Sequence, residues 1–468
     1  MKSGSSGLAG AVAAAAVLAL FGGCSASAPA EPDPASRLPG GATTNTLLTG
    51  VHSFDQAVEN LSDEMASKFF SGNSLFNSAW VQAPSSTDAR DGLGPLFNAR
   101  NCSACHFQDG RGRPPLTDEE QAGESVHGIL FRLSIGYGSH EAPKPDPVYG
   151  GQLQPFALPD LVAEGQVAIS WSDEKFVYPD GEKVTLERPR YEVQNLGFGP
   201  LDERAVLSPR VAPQMAGLGL LEAIEDDRLE ELADPDDANG DGISGRIRLV
   251  LDVESGEQQS GRFGWKAEQP SVRQQAAGAF QGDMGITNSL FPAQNCSGTE
   301  TDCADMASGG DPEIDGLLSN VERYGQLLAV PARRDFDSDE VREGWRLFTE
   351  VGCTGCHVAS HETGQHELEE LSGQTIWPYT DLLLHDMGPD LADSDRAELD
   401  AEWRTPPLWG IGLIPDVNGH QRLLHDGRAD GVEQAILWHG GEAETSRRAF
   451  TELDADARSA LIRFINSL

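Results

Sequence analysis

Two copies of Cys-x-x-Cys-His, one in "NCSACHFQDG" at Asn101–Gly110 and one in "GCTGCHVASH" at Gly352–His361, constrain this chain more than any other feature. Cysteines three apart serve a redox dithiol, half of a zinc site or a covalent haem, and the residue that follows separates these readings. On one helical turn the first, fourth and fifth positions share a face, so two thioethers can clamp vinyl groups while the imidazole reaches the iron. Zinc needs a second cysteine pair or a histidine pair at ligand spacing in the same domain, and neither follows Cys105 or Cys356. A thioredoxin-like dithiol needs a βαβ frame and has no use for the histidine. The spacing predicts two haems c, held by Cys102 and Cys105 and by Cys353 and Cys356, with His106 and His357 as proximal iron ligands.

From Cys102 to Cys353 the copies lie 251 residues apart, and each follows a Leu-Phe pair whose Phe97 or Phe348 stands five residues ahead of the first cysteine. This duplication predicts two similar domains, with short helices laying Leu and Phe against a macrocycle's apolar surface. The 468 residues allow two or three domains at roughly 150 residues each. A helix is expected from Phe54 through "FDQAVENLSDEMASKFF". The chain returns to helix at "GVEQAILWHGG" and at its end, where Ala457, Leu461, Phe464 and Leu468 share a face. Between the motifs, Gly/Pro-rich segments and the runs "HGILFRLSIG", "GQVAISW" and "RIRLVLDV" read as loops and strands. The expected fold is mainly α: two cytochrome-c-like haem domains, 51–130 and 336–468, with an irregular, strand-rich insertion over 131–335.

The start of the chain places Lys2 ahead of an apolar run from Leu8 to Phe21 that is too short to span a membrane, so residues 1–23 read as a signal peptide. "LFGGC" resembles the bacterial lipobox, which implies cleavage before Cys24 and diacylglyceryl attachment to its sulfur; a plain secretory peptide is the alternative. Residues 24–50, rich in Ala, Pro, Ser, Gly and Thr, read as a flexible tether. Such a protein is exported, periplasmic or held at the outer membrane or cell surface through its lipid alone. Of seven cysteines, Cys296 and Cys303 in "NCSGTETDC" then remain for a short-loop disulfide.

Distal ligands are less constrained. "LLLHDMGPDL" offers Met387, favoured here, and His385 beside a Gly-Pro turn. Met215 and Met284 are weaker candidates for the other iron, and His127 and His140 read as loop histidines. An iron without a distal ligand would be open to peroxide or oxygen. "DANGDG" places Asp237, Asn239 and Asp241 as the start of an EF-hand-like calcium loop, but Arg248 stands at the twelfth position, so Ca²⁺ completed from elsewhere and a plain Asx-rich turn are both open. Trp265 could relay electrons between haems or simply fill core.

With 74 acidic against 34 basic residues the net charge of -40 excludes nucleic-acid binding and fits a solvated surface. "CTGCH", "LLLHDMGPDLAD", "RTPPLWGIG", "LLHDGRADGVEQAILWHGG" and "LIRFINSL", with "CSACHFQDGRGRPP", "SPRVAPQMAGLGLLEAI" and "GRFGWKA" before them, resemble the di-haem oxidoreductase family, exported bacterial proteins labelled peroxidases or thiol oxidoreductases. The likeness extends, more distantly, to di-haem cytochrome c peroxidases and to the di-haem enzymes that mature methylamine dehydrogenase. In those peroxidases a Met-His-Asp-Gly loop gives the C-terminal haem its distal methionine, whereas Leu424 stands in that place here. The resemblance implies electron transfer through two haems from a small redox-donor protein, a cytochrome or cupredoxin, or from a quinol-linked chain, and plausible reduction of hydrogen peroxide. A non-catalytic di-haem carrier is the alternative, and thiol oxidation at a haem a third.

Overall fold

The computed structural model describes residues 1, 31–47, 50–87, 90–122, 128–138, 141–296, 303, 314–394 and 396–468. Cys24, His127 and His140 lie outside them. Helix α1, Asp63–Asn77, starts where the Ser62 hydroxyl accepts a hydrogen bond from the Met65 N–H, with Asp63 and Glu64 favourably placed in the first turn. The helix expected from Phe54 therefore begins only at this cap.

The four long strands are β1 (Ile129–Ser134), β2 (Gln166–Val177), β3 (Lys183–Gln194) and β4 (Val206–Val211). They pair antiparallel, β1 with β4 and β2 with β3. The main remaining helices are α2 (Val272–Met284), α3 (Asp315–Gln326), α4 (Asp339–Glu350), α5 (Val432–Trp438) and α6 (Ala455–Ser467). Asp454 caps α6 by accepting from Ala457 N–H, and Leu461, Phe464 and Ile465 form its buried face.

One helix crossing occurs twice. Helix α3 crosses α1 and α6 crosses α4, each at a glycine that lets the backbones touch. A Cβ at Gly72 would stand 2.0 Å from the Asn320 carbonyl oxygen and 2.6 Å from Tyr324 Cβ; at Gly344 the values are 1.9 Å to the Ala460 oxygen and 2.6 Å to Phe464 Cβ. One turn further on, Phe76 meets Tyr324 and Phe348 meets Phe464, both with ring centroids 5.3 Å apart. The two phenylalanines then lean on His106 and His357, at 6.2 and 6.1 Å.

The repeated Leu-Phe pairs are accordingly not equivalent. Leu347 and Phe348 belong to α4, whereas Leu96 and Phe97 form a two-residue strand against Phe156–Ala157. The partner of Phe348 is Phe76, and the shared pattern is Gly-x-x-Leu-Phe, at Gly72–Phe76 and Gly344–Phe348. Phe348 precedes its first cysteine by five residues and Phe76 by 26, a difference that hides the match.

The expectation of a mainly α fold is overturned: the structure is 33% helical and 19% strand, with many small sheets. Seven two-stranded sheets occur among the described residues. Their alternating runs form ribbons that pack onto the helices. From the β2–β3 ribbon, Tyr178 Oη donates to Glu433 Oε1 at 2.9 Å and Tyr191 Oη to Asp426 Oδ2 at 3.0 Å, both in the C-terminal third. The stretch expected as an insertion, 131–335, also supplies α2 and α3, the helix that closes on α1. Residues 31–47, expected within a flexible tether, are packed: Thr43, Thr44 and Asn45 are buried, and Asn45 N–H donates to the Val330 carbonyl at 2.9 Å.

Candidate functional site

Both Cys-x-x-Cys-His segments fold into the same short turn, 3₁₀ at Cys102–Ala104 and at Cys353–Gly355. The histidine N–H closes each turn onto the first cysteine's carbonyl, His106 to Cys102 and His357 to Cys353, both at 3.0 Å. Each imidazole is then held from behind by one backbone carbonyl. His106 Nδ1 lies 2.7 Å from the Pro213 oxygen and His357 Nδ1 2.9 Å from the Tyr379 oxygen. A carbonyl only accepts, so Nδ1 carries the proton and Nε2 keeps a lone pair, the form that ligates a metal. Burial drives both pKa values down to about 4, so the rings are neutral at pH 7.

The four cysteines are unbonded to one another, and burial pushes the Cys102 and Cys353 thiols up to about 12 and raises Cys105 and Cys356 as well. Thiols so disfavoured as thiolates are poor nucleophiles in dithiol exchange. Cys356, Asp381 and His385 approach closely enough to share a metal ion, but both nitrogens of that imidazole are already taken.

All six motif residues line one continuous cavity of about 1060 Å³. A single ordinary small-molecule pocket falls at roughly 300–1,000 Å³, so this void exceeds one such ligand. On its first-half wall α2 presents Val272, Gln275, Ala276, Ala279, Phe280, Asp283 and Met284, spaced as one helical face. Met215 also lines the cavity, on the peptide whose Pro213 carbonyl holds His106 from behind. Glu268 is held down to about 2: burial would raise it, but Arg210, Arg248, Arg132 and Lys266 outweigh that. Asp283 is raised by burial, against the pull of Arg132 and a hydrogen bond from Gln152 Nε2 at 2.9 Å.

The second-half wall carries Met387, His439, His425 and Leu424. His385 reaches the wall, but its Nε2 meets Asp381 Oδ2 at 2.8 Å and its Nδ1 meets Glu442 Oε2 at 2.7 Å. Burial opposes charging of this ring, yet its bonds to Asp381, Cys356 and Glu442 outweigh it and raise the pKa well above the ordinary value. An imidazolium has no lone pair for a metal. His439, which the sequence reading passed over, has the device of the proximal pair: its Nδ1 lies 2.6 Å from the Ala435 carbonyl, leaving Nε2 free to accept, and burial lowers its pKa. The signal was the "HGG" that ends α5. A Cβ at Gly441 would stand 2.2 Å from the Asp386 carbonyl, so the glycine lets this turn press against the segment carrying Met387. Leu424 adopts φ +67° on the cavity wall, where its side chain offers no ligand atom.

Trp265 lines the same cavity at 8% exposure, its Nε1–H donating to the Val211 carbonyl at 2.7 Å, with the Arg111 guanidinium 5.2 Å over its ring. The Asp237–Asp241 loop is exposed from Ala238 on, with Asp237 half-buried, and is braced by its own side chains: Asp237 Oδ1 accepts from Gly242 N–H, Asn239 Oδ1 from Asp241 N–H, and Asp241 Oδ1 from Ile243 N–H. Cys296 and Cys303 are joined by a disulfide.

A family model described as "Di-haem oxidoreductase, putative peroxidase" matches residues 35–468. No curated protein and no solved structure matches the chain. Because that match runs through both cysteine turns and the wall of the cavity they share, the chain belongs to the di-haem oxidoreductase family.

Proposed function

We propose that this di-haem oxidoreductase carries two haems c, on Cys102, Cys105 and His106 and on Cys353, Cys356 and His357, and acts as an exported peroxidase that reduces hydrogen peroxide. One observation carries the reading: the same turn occurs twice on one mostly apolar-lined cavity, each time offering two protonated thiols and a neutral imidazole with a free Nε2. These residues fit a covalently held haem at each motif. When bound, the two groups would supply one-electron transfer and, where an iron position is open, a place for peroxide.

The two halves differ in the ligand-type side chains they contribute to the cavity wall. The second half provides Met387, the proposed sulfur ligand, with His439 as its rival, and either would hold a haem there as an electron store. The first half provides the small side chains of Ala276 and Ala279 on α2; of its two methionines on the wall, Met215 sits on the strand of chain behind His106 and Met284 is packed in the core with Trp80, Phe97 and Phe280. That contrast favours an open first site over a carrier with both irons filled. Asp283, close enough to raise the Cys102 and Cys105 thiols, is itself raised by burial, which suits a holder of the proton that heterolysis of peroxide requires. The electron donor is proposed to be a small cytochrome or cupredoxin, or a quinol-linked chain. Export with lipid attachment at Cys24 completes the proposal. The Asx-braced loop at Asp237–Asp241 is given a turn-forming role, with no Ca²⁺ in the chemistry.

Mass spectrometry of the mature protein should find two added tetrapyrroles, and one at Cys102/Cys105 or Cys353/Cys356 alone would break the two-haem reading. Spectra should show a high-spin signal that peroxide abolishes, while Met387→Leu removes a sulfur-to-iron band. Persistence of that band assigns the ligand to another residue, and His439→Ala then tests the rival. Only low-spin signals with no response to peroxide would leave a carrier.

A further inference from the structure

Five histidines line the cavity among the described residues, and what holds each ring decides what it can do. His106, His357 and His439 each have Nδ1 tied to a backbone carbonyl, which leaves Nε2 fixed as an electron-pair donor, the arrangement of a metal ligand. His385 has both nitrogens on carboxylates and offers neither. His425 follows neither pattern. Its nitrogens bond no protein group among the described residues, and Asp426 Oδ2 stands 3.9 Å from Nε2, beyond hydrogen-bond reach. That oxygen is already taken by Arg428 Nε at 2.8 Å and Tyr191 Oη at 3.0 Å. The residue is 4% exposed, yet its nitrogens are not among the sealed polar atoms, so they open onto the void that the ring lines.

The ring is rigidly placed. It stacks on Trp403 with centroids 3.7 Å apart and planes 12° from parallel, and Lys266 and Arg210 lie over that indole at 3.9 and 4.7 Å. Its loop is fastened to the first half of the chain. Arg111, five residues after His106, donates through Nε to the Arg422 carbonyl at 2.7 Å and through Nη2 to the Leu424 carbonyl, and the Val211 N–H donates to the His425 carbonyl at 2.6 Å. Val211 lies two residues before Pro213, whose carbonyl orients His106. A histidine from the C-terminal third is thereby held beside the segments that build the first site. Burial lowers its pKa well below the ordinary value, with Arg428, Arg210 and Lys266 adding to the effect and Asp426 opposing it. The neutral ring has one N–H and one lone pair, both free.

A metal-bound imidazole has its second nitrogen anchored, whereas a proton shuttle needs an open acceptor and an open donor on one ring. We infer that His425 is the acid–base group that handles the protons of hydrogen peroxide at the first site. This rests on the two-haem peroxidase reading and names a residue within it. The lone pair takes the proton of one peroxide oxygen, and the ring returns a proton to the other oxygen as the O–O bond breaks. Hydrogen peroxide, two electrons and two protons give two waters: the electrons come from the donor protein through the haems, the protons come from solvent, and the imidazole ends neutral as it began.

The holoprotein is compared with its His425→Gln and His425→Ala variants by intact mass, resting absorption spectra and stopped-flow reaction with peroxide and with cyanide. Hydrogen cyanide must give up its proton to bind iron, so cyanide reads the proton acceptor without turnover. Both variants should keep two haems and the wild-type resting spectrum, while the peroxide and cyanide rates fall about a hundredfold, the low end of what general acid–base catalysis supplies. Added imidazole should restore His425→Ala, where it can enter the space left by the ring. Unchanged rates with both reagents would overturn the inference alone, and a changed resting spectrum would make His425 an iron ligand and overturn it as well. A wild type that binds cyanide but ignores peroxide would overturn the peroxidase reading, with the cyanide comparison still deciding whether His425 accepts the proton. A wild type that keeps two haems and reacts with neither reagent would overturn both.

Discussion

Replacing Gly344 by alanine tests the repeated helix crossing directly. The new Cβ would stand 1.9 Å from the Ala460 carbonyl oxygen and 2.6 Å from Phe464 Cβ, where ordinary contacts begin at 3.4 Å. Neither neighbour can swing aside, since one is backbone and the other a Cβ, so α4 and α6 must separate by more than 1 Å. Overpacking of this kind costs typically about 1–3 kcal/mol, and a rigid neighbour puts it at the upper end. Alanine returns up to about 1 kcal/mol of helix propensity. A net loss of about 2 kcal/mol is expected. Gly282→Ala in α2 is the control, because nothing lies within 4 Å of its Cβ and only the propensity gain applies. Guanidinium unfolding followed by fluorescence should separate the two variants by about 3 kcal/mol in opposite directions from the wild type. Phe348 and Phe464 would also shift against His357, so the spectrum of the second haem should change and that of the first should not. Equal midpoints for the two variants would refute the close-contact argument.

Asp109 is buried beside the first motif, accepts from Tyr324 Oη at 2.8 Å, and is pushed by burial up to about 7. Its folded pKa exceeds the unfolded value of 3.8, so the folded state holds the extra proton between these values and stability falls as pH rises from about 4 to 7. Asp109→Asn should flatten that slope, by as much as about 4 kcal/mol for a shift near three units, as measured by denaturation at both ends of the window; an unchanged slope would reject it. Asp381→Asn takes one carboxylate from the buried His385 imidazolium and should cost about 3 kcal/mol, read from the unfolding midpoint, whereas a neutral effect would mean the ring is uncharged. Trp265→Phe leaves the Val211 carbonyl without its donor, costing about 1 kcal/mol, and should slow electron equilibration between the haems in stopped-flow records if the indole relays charge.

What the sequence displayed best was chemistry tied to contiguous spacing. The cysteine turns and the final helix are local, and five consecutive residues suffice to write the first of them. The equivalence of Phe76 with Phe348 was obscured because 26 residues, not five, separate Phe76 from its cysteines, and contiguous comparison seized on Phe97. His385 looked like a ligand from its place in "LLLHDMG", and only the return of Glu442 from a later turn shows the ring already held at both nitrogens. His439 was passed over for the converse reason: its free nitrogen depends on a bond to Ala435 made within its own helix end. The strand content was underestimated because the ribbons take their stability from burial on helices distant in sequence, as Tyr178 does on Glu433.

The pairing of α1 with α3 sets an order of assembly. During synthesis the first cysteine pair emerges more than 200 residues before Asp315, where its closing helix begins, whereas the second pair waits only about a hundred residues for α6. A chain made from its N-terminus folds its segments as they appear, so the α1–α3 crossing beside the first motif can close only after roughly twice as much further chain as the α4–α6 crossing beside the second.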